Sequence, residues 1–395
     1  MKDNFLEGLR VLDFSRVLAG PYVTRILADF GAEVIKVQTK RTAKGVESNT
    51  SPYFCTWNRN KQSITLDMSR SGAKELLLRL VKLCDIVVEN YSPRVMANWG
   101  LDYDLLKQVN PKLIMLSMSA MGQSGPWKDF VAFGPTLQSL GGLTYLTSFS
   151  EHSKLGIGFS YADIISGLYG VIVVLSACEY RERTGCGQYI DLSQYEAICT
   201  TIGPALMDIL ANKPDLFPKG NDSYYLDASP YGCFRCSGEE RWCVIAVFSE
   251  DEWIALCNVL GNPAWTKESK FATLIKRKAH GKELDEHVQN WTEEHEAEKV
   301  VELLQKAGVP SGIVQNAEDL AKDPHLRERA FFTSLNHPMH GDLRTDTYPI
   351  RFGDQSQYHW KSSPLLGEDN DYVFGELLGL SEEEINTYIG QGIIA

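Results

Sequence analysis

The chain has 395 residues, 44% hydrophobic and 23% charged, enough for two domains with cores of their own. Its formal net charge of -12, pI near 5.2 and lack of any basic run argue against a nucleic acid partner, so an anionic ligand must be held by local cations. The opening MKDNFLEGLRVLDF lacks the layout of a signal peptide, and the longest apolar run, residues 164–178, falls short of the roughly 20 residues a membrane span needs. The expectation is a cytoplasmic protein with no membrane partner.

Residues 9–14 (LRVLDF) form an apolar run of strand length, SRVLAGPY turns it into a helix, and residues 32–37 (AEVIKV) read as a second strand. Strand, glycine-containing turn, helix and strand make a β-α-β unit of the doubly wound kind. The G-x-G-x-x-G pattern is missing, since Gly20 is followed by Pro21, so a dinucleotide is not indicated. Residues 39–52 are polar and read as a mobile loop carrying Lys40, Arg41 and Lys44. NRNKQSITLDM at 58–68 sets Arg59 and Lys61 against a short strand, and residues 85–89 and 113–118 supply further strands. The loop NYSPR at 90–94 follows a strand end, where open α/β sheets collect ligands.

The segment GIGFSYADIISGLYGVIVVLSACEYRERTGCGQ, residues 156–188, reads as a buried helix with a marked end at Gly185. Asp163 falls where an N-cap is expected. As a cap it would be structural and kept ionised by the helix dipole, whereas in an apolar wall it is a usable nucleophile toward an activated carbonyl. Periodicity alone leaves both readings open. Near 200–222 the pattern thins into a linker with Pro214, Pro218, Gly220 and Asn221, and residues 231–247 alternate as a hairpin around Gly238. Helices are expected near 252–260, 282–291, 297–307 and 382–388, a strand at 308–315, and a polar, proline-punctuated linker at 333–360.

The nine cysteines are scattered and, without a secretion signal, are expected to be reduced. Cys233 and Cys236 form a lone C-x-x-C in a strand-like segment, and His337 and His340 flank a proline in a loop-like one. No metal site is expected from either pair.

Taken together, LRVLDFSRVLAGPYVTRILADFGAEVIKV, NRNKQSITLDM, DIVVENYSP, MGQSGPW, ADIISGLYG, RTGCGQYIDLSQYEA, GVPSGIV and KDPHLRERAFF, in that order along the chain, resemble the family III CoA-transferases, the group of the formyl-CoA and carnitine enzymes. The resemblance implies an α/β fold. A Rossmann-like large domain with a parallel sheet (1–200 plus 345–395) and a smaller α+β domain (225–325) would be joined by linkers at 201–224 and 326–344. It also implies an interlocked homodimer, with a heteromer built on a paralogue as the variant of that arrangement.

It further implies that Asp163 is catalytic, that CoA thioesters are substrates rather than tightly bound cofactors, and that a carboxylic acid is the acceptor. Succinyl-CoA is the expected donor, and the segment at 121–149 is similar to the branch acting on bulky acids such as benzylsuccinate. CoA would be held by Val17, Leu18, Ala19, Lys40, Arg41, Lys61, Asn90, Tyr91 and Arg94. Two departures stand out. Residues 217–238 offer only Gly220, Gly232 and Gly238 where some family members close a glycine-rich loop, and no histidine lies beside Phe133 and Gly134, where the racemases of this fold carry one. The alternatives are an acyl-CoA racemase and a non-catalytic CoA-binding subunit.

Overall fold

Successive residues of the N-terminal strands belong to two different cores, one on each face of a single sheet. Leu12, Ile35, Ile64, Val87 and Met115 enter one core, while Val11, Val34, Ile86, Val88, Ile114 and Leu116 enter the other. Burial on both faces explains why these strands read as continuous apolar runs rather than alternating ones. The computed structural model describes residues 5–149, 156–212, 220, 227–351 and 360–395. Pro214, Pro218 and Asn221 of the expected linker lie outside the described residues.

The strands are β1 (Arg10–Asp13), β2 (Glu33–Gln38), β3 (Gln62–Thr65), β4 (Ile86–Glu89), β5 (Ile114–Ser117) and β6 (Tyr189–Asp191). All pairs are parallel, and the order is β3-β2-β1-β4-β5-β6. This is the Rossmann order, whose direction reverses between β1 and β4, so the C-terminal ends of those two strands open the crevice where such sheets bind ligands. The connecting helices are α1 (Ala19–Asp29), α2 (Pro52–Trp57), α3 (Ala73–Val81), α4 (Arg94–Asn98), α5 (Tyr103–Val109), α6 (Gly134–Leu140), α7 (Leu143–Leu146), α8 (Tyr161–Thr184), α9 (Gln194–Cys199) and α10 (Gly203–Asn212). Ser51, Asp102 and Ser193 cap α2, α5 and α9 with their side chains.

The chain divides into two compact units, the first comprising residues 1–146, 155–216 and 330–395 and the second 147–154 and 217–329. In the second, β7 (Tyr231–Arg235), β8 (Trp242–Ala246) and β9 (Ser311–Ile313) form an antiparallel sheet. The unit also holds α11 (Glu250–Val259), α12 (Leu274–Ala279), α13 (Gly281–Thr292) and α14 (Ala297–Lys306), of which α13 packs on β7 and α14 on β8 and β9, followed by α15 (Ala317–Lys322) and α16 (Pro324–Glu328). Phe234, Ile245, Trp253, Leu256 and Phe271 lie in its core, and the buried Arg277 pairs with Glu250 at 2.9 Å. Cys233 lies within β7 and Cys236 just beyond it; among the described residues no three His, Cys, Asp or Glu side chains gather as metal ligands.

The expectation of a polar linker at 333–360 is corrected in part. Residues Phe332–His337 and Gly341–Asp346 form an antiparallel hairpin, β10 and β11, in which Leu335 and His337 turn inward. Its tip is the His337–His340 stretch. The chain then returns to β3. Ser63 N donates to Asp369 Oδ2 at 2.7 Å, Thr65 N to Asn370 Oδ1 at 2.9 Å, and Ala395 N to Thr65 Oγ1 at 2.9 Å. Ile393 and Ile394 enter the same core as Leu12, and α17 (Glu382–Gly390) starts in a capping box on Ser381.

One described helix, α8, is long and apolar enough to cross a membrane, because it runs 24 residues and so extends beyond the apolar run at both ends. Its buried stripe of Ala162, Ser166, Gly167, Gly170, Val174 and Ala177 packs on α1 and the sheet.

Candidate active site

Small residues on α8 let it approach α1 closely. A Cβ at Gly167 would stand 2.7 Å from Tyr22 Cδ1, and one at Gly170 2.6 Å from Val23 Cγ2, both tighter than real contacts. This approach brings the first turn of α8 to the start of α1. Asp163 is not the N-cap, which corrects the expectation: Ser160 holds that place and Asp163 is the third residue of the helix. The Tyr161 N–H is satisfied by Gln138 Oε1 of α6 at 2.8 Å.

Burial is the largest influence on the Asp163 carboxyl and pushes it up to about 6, against opposing hydrogen bonds from the Ala19 N–H and its own amide. The helix dipole therefore does not hold it in the ordinary carboxylate range. The side chain is half-buried, so the anion that forms above about pH 6 is only partly solvated. Among the described residues near it are Ala19 of α1, Gly134 of α6 and Tyr53 of α2, whose phenol is pushed up to about 12, chiefly by burial and then by the Asp163 charge. Gly134 of α6 leaves the space for it, since a Cβ there would lie 2.5 Å from Asp163 Oδ2 and 2.7 Å from Ser160 Oγ. Phe133, Phe159 and Tyr161, neighbours of Gly134 and Ser160, are exposed.

The loop from β1 into α1 carries Val17, Leu18 and Ala19. Leu18 is the N-cap of α1 and offers no side-chain cap, so the first amides of this helix are left for other acceptors, Asp163 among them. Val17 is in the left-handed region with φ 65, a rare and strained conformation for a β-branched residue.

The other expected CoA-holding residues divide. Lys40 and Arg41 are exposed beyond β2, and Arg94 is exposed beside Asp129 at 3.5 Å. Tyr91 is half-buried with its ring edge against Trp99, and burial raises its phenol. The Asn90 side chain is spent on the backbone of Arg16, accepting from its N at 2.7 Å and donating to its O at 2.8 Å.

Lys61 is a correction: it is buried, and its ammonium donates to Asp13 Oδ2 at 3.0 Å, Asn58 Oδ1 at 2.8 Å and Pro21 O at 3.1 Å. All three donors are used internally, which leaves none for a phosphate. Asp13 is wholly buried; burial opposes its charge, but Lys36, Lys61, Ser15 and Thr24 together hold it well below the usual carboxylate range. Arg59 is likewise internal, forked onto Asp29 at 2.7 and 2.9 Å.

Residues 39–52 also differ from the mobile loop expected of them. Glu47 and Asn49 are buried, and Glu47 Oε1 accepts the Val17 N–H at 2.8 Å. Glu89, at the end of β4, is a second buried carboxyl, pushed up to about 7 by burial while accepting the Tyr91 N–H at 2.8 Å. Neither glutamate carries a strong sequence signal: Glu89 ends β4, and Glu47 sits in the polar stretch between β2 and β3.

A probable CoA-transferase of Mycobacterium tuberculosis, Rv1866, is 29% identical over 98% of this chain, which spans about half (50%) of that relative's length. The succinyl-CoA–D-citramalate CoA-transferase of Chloroflexus aurantiacus is 29% identical over 96% of both chains. Among solved structures, a CAIB/BAIF family protein from Brucella suis superposes with a TM-score of 0.86 and 31% identity, covering 95% of this chain and 99% of its own. The family model of CoA-transferase family III matches residues 6–370, and the chain belongs to that family.

Proposed function

We propose that this protein moves CoA from an acyl-CoA thioester to a carboxylic acid with Asp163 as the covalent carrier. The observation that carries the reading is the Asp163 carboxylate itself, desolvated at a helix start and met by the Ala19 N–H. Its oxygen adds to the thioester carbonyl, the C–S bond breaks, and CoA thiolate leaves a mixed aspartyl anhydride. The thiolate then attacks the aspartyl carbonyl and expels the donor's carboxylate, giving an aspartyl-CoA thioester. The acceptor carboxylate displaces the thiolate to form its own anhydride with Asp163. Thiolate attack on the acceptor's carbonyl finally releases the new acyl-CoA and regenerates the aspartate. The Ala19 N–H, which favours the Asp163 anion, is the proposed donor for the negative charge that develops on the aspartyl oxygen in these attacks. Thioester energy stays in covalent bonds throughout, and CoA enters as a substrate.

Succinyl-CoA is the donor proposed, supported by the Chloroflexus relative's name, and a bulky apolar acid is the acceptor proposed, supported by exposed Phe133, Phe159 and Tyr161. We place the enzyme in the cytoplasm as an interlocked homodimer. Exposed Leu168, Ile172 and Leu175 on α8 and Met207 and Leu210 on α10 support burial by a second copy. Incubation with succinyl-CoA and hydroxylamine, followed by peptide mass spectrometry, is expected to yield a hydroxamate on Asp163. An Asp163→Ala variant that exchanges CoA at the native rate would remove the proposal. Deuterium uptake at the α-carbon of an acyl-CoA without acceptor would instead favour the racemase.

A further inference from the structure

Five successive backbone groups between β1 and α1 are each held by a side chain from elsewhere. Ser15 N donates to Asp13 Oδ1 at 2.8 Å, and Ser15 O accepts from Lys36 Nζ at 2.8 Å. Arg16 N and O are both taken by Asn90 across the reversal point of the sheet, at 2.7 and 2.8 Å, in the manner of a neighbouring strand. Val17 N is taken by Glu47 at 2.8 Å. Glu47 itself is buried, and its second oxygen lies 3.8 Å from Arg16 Nε. Such saturation is out of proportion to a turn of this length, and it falls on the residues flanking the left-handed Val17. A strained residue persists only where its surroundings over-determine it.

We propose that Glu47 and Asn90 are positioning residues that hold Val17 in its left-handed conformation and thereby aim the Ala19 N–H at Asp163. They touch no reacting atom and act through the loop: released from them, Val17 relaxes to an ordinary φ, the first turn of α1 rotates, and Ala19 N–H leaves the carboxylate. The inference rests on the proposed role of Asp163.

Two readouts separate positioning from mere support of the fold. One is turnover, because the donor serving the aspartyl oxyanion is displaced: kcat of Glu47→Ala is expected to fall ten- to a hundredfold while KM for the acyl-CoA changes less than fivefold. The other is the acidic limb of the pH–rate profile, because the Ala19 N–H favours the Asp163 anion. Tyr53, a titratable group facing Asp163 from α2, is pushed up to about 12 and stays neutral through this range, so a lost Ala19 bond moves the limb to higher pH.

Glu47→Gln keeps the acceptor for Val17 N and is expected to restore kcat to within threefold of native with the limb back in place. Asn90→Ala removes two bonds and carries the same expectation as Glu47→Ala, standing in for it if that variant does not fold. Native kcat and an unmoved limb in both alanine variants would overturn the proposal, as would a Glu47→Gln variant as impaired as Glu47→Ala. Hydroxylamine trapping in the native enzyme keeps the two questions apart: with the Asp163 hydroxamate present and the alanine variants unaffected, the positioning role fails alone, whereas with no hydroxamate the nucleophile assignment fails first.

Discussion

Replacing Asp163 by asparagine removes the charge while keeping the shape and one acceptor oxygen for Ala19. Burial carries this carboxyl from 3.8 to about 6. At 1.36 kcal/mol per tenfold change in acidity, the folded state disfavours the anion by about 3 kcal/mol, and residual solvent access brings the expected effect to about 1–3 kcal/mol. The sign follows from proton linkage. Between pH 3.8 and 6 the folded protein holds this proton more tightly than the unfolded chain does, so the native enzyme loses stability as pH rises through that window. Asp163→Asn escapes the loss. It is expected to be inactive in CoA transfer yet more stable than the native enzyme at pH 8, with the gain shrinking toward pH 4. Urea unfolding at both pH values, followed by circular dichroism, measures the difference. Equal midpoints at pH 8, or a gain of the same size at both pH values, would refute the account of Asp163 as a desolvated anion.

The same linkage applies to Glu89, pushed up to about 7: Glu89→Gln, which still accepts the Tyr91 N–H, is expected to raise stability above pH 7 and to leave it unchanged near pH 4, by the same urea assay. Gly134→Ala places a methyl 2.5 Å from Asp163 Oδ2, so kcat should drop at least tenfold, with a stability cost of about 1–3 kcal/mol from overpacking; native turnover in this variant would show that the carboxylate has room to spare. Lys61→Met strips Asp13 of its nearer cation, leaving Lys36 at 3.7 Å. It should cost about 3 kcal/mol of stability, with KM for acyl-CoA unchanged in the protein that remains folded; a raised KM would return Lys61 to the phosphate site.

The sheet was legible where strands are buried on both faces, as at residues 9–14, 85–89 and 113–118, because such strands are apolar along most of their length, with the buried polar residues Asp13, Glu89 and Ser117 at the ends of β1, β4 and β5. Tyr189–Asp191 escaped notice because it is an edge strand of three residues with two of them exposed. The hairpin of β10 and β11 escaped because Thr333, Ser334 and Asn336 dilute its alternation and only Leu335 and His337 are buried. Asp163 stood out as a lone acid at the head of an apolar segment, although its place in the first turn depends on Ser160 and Gln138 rather than on local pattern. Lys61 misled for a physical reason. A cation beside a strand end looks the same whether it faces a phosphate or a buried acid, and Asp13, its partner, is 48 residues away in sequence. Glu47 was hidden for the converse reason, as a lone buried acid in a polar stretch where exposed residues 44–46 and buried Asn49 leave no period to read.

The closure of β3 by residues 369, 370 and 393–395 has a consequence during synthesis. A ribosome delivers all six strands of the parallel sheet before residues 217–329 of the second unit, and only afterwards the stretch that covers the outer amides of Ser63 and Thr65 and seats Ile393 and Ile394 beside Leu12. Until then the nascent sheet exposes an open template for strand addition and an unfilled apolar seat, which is the state that chaperones bind and that aggregates recruit.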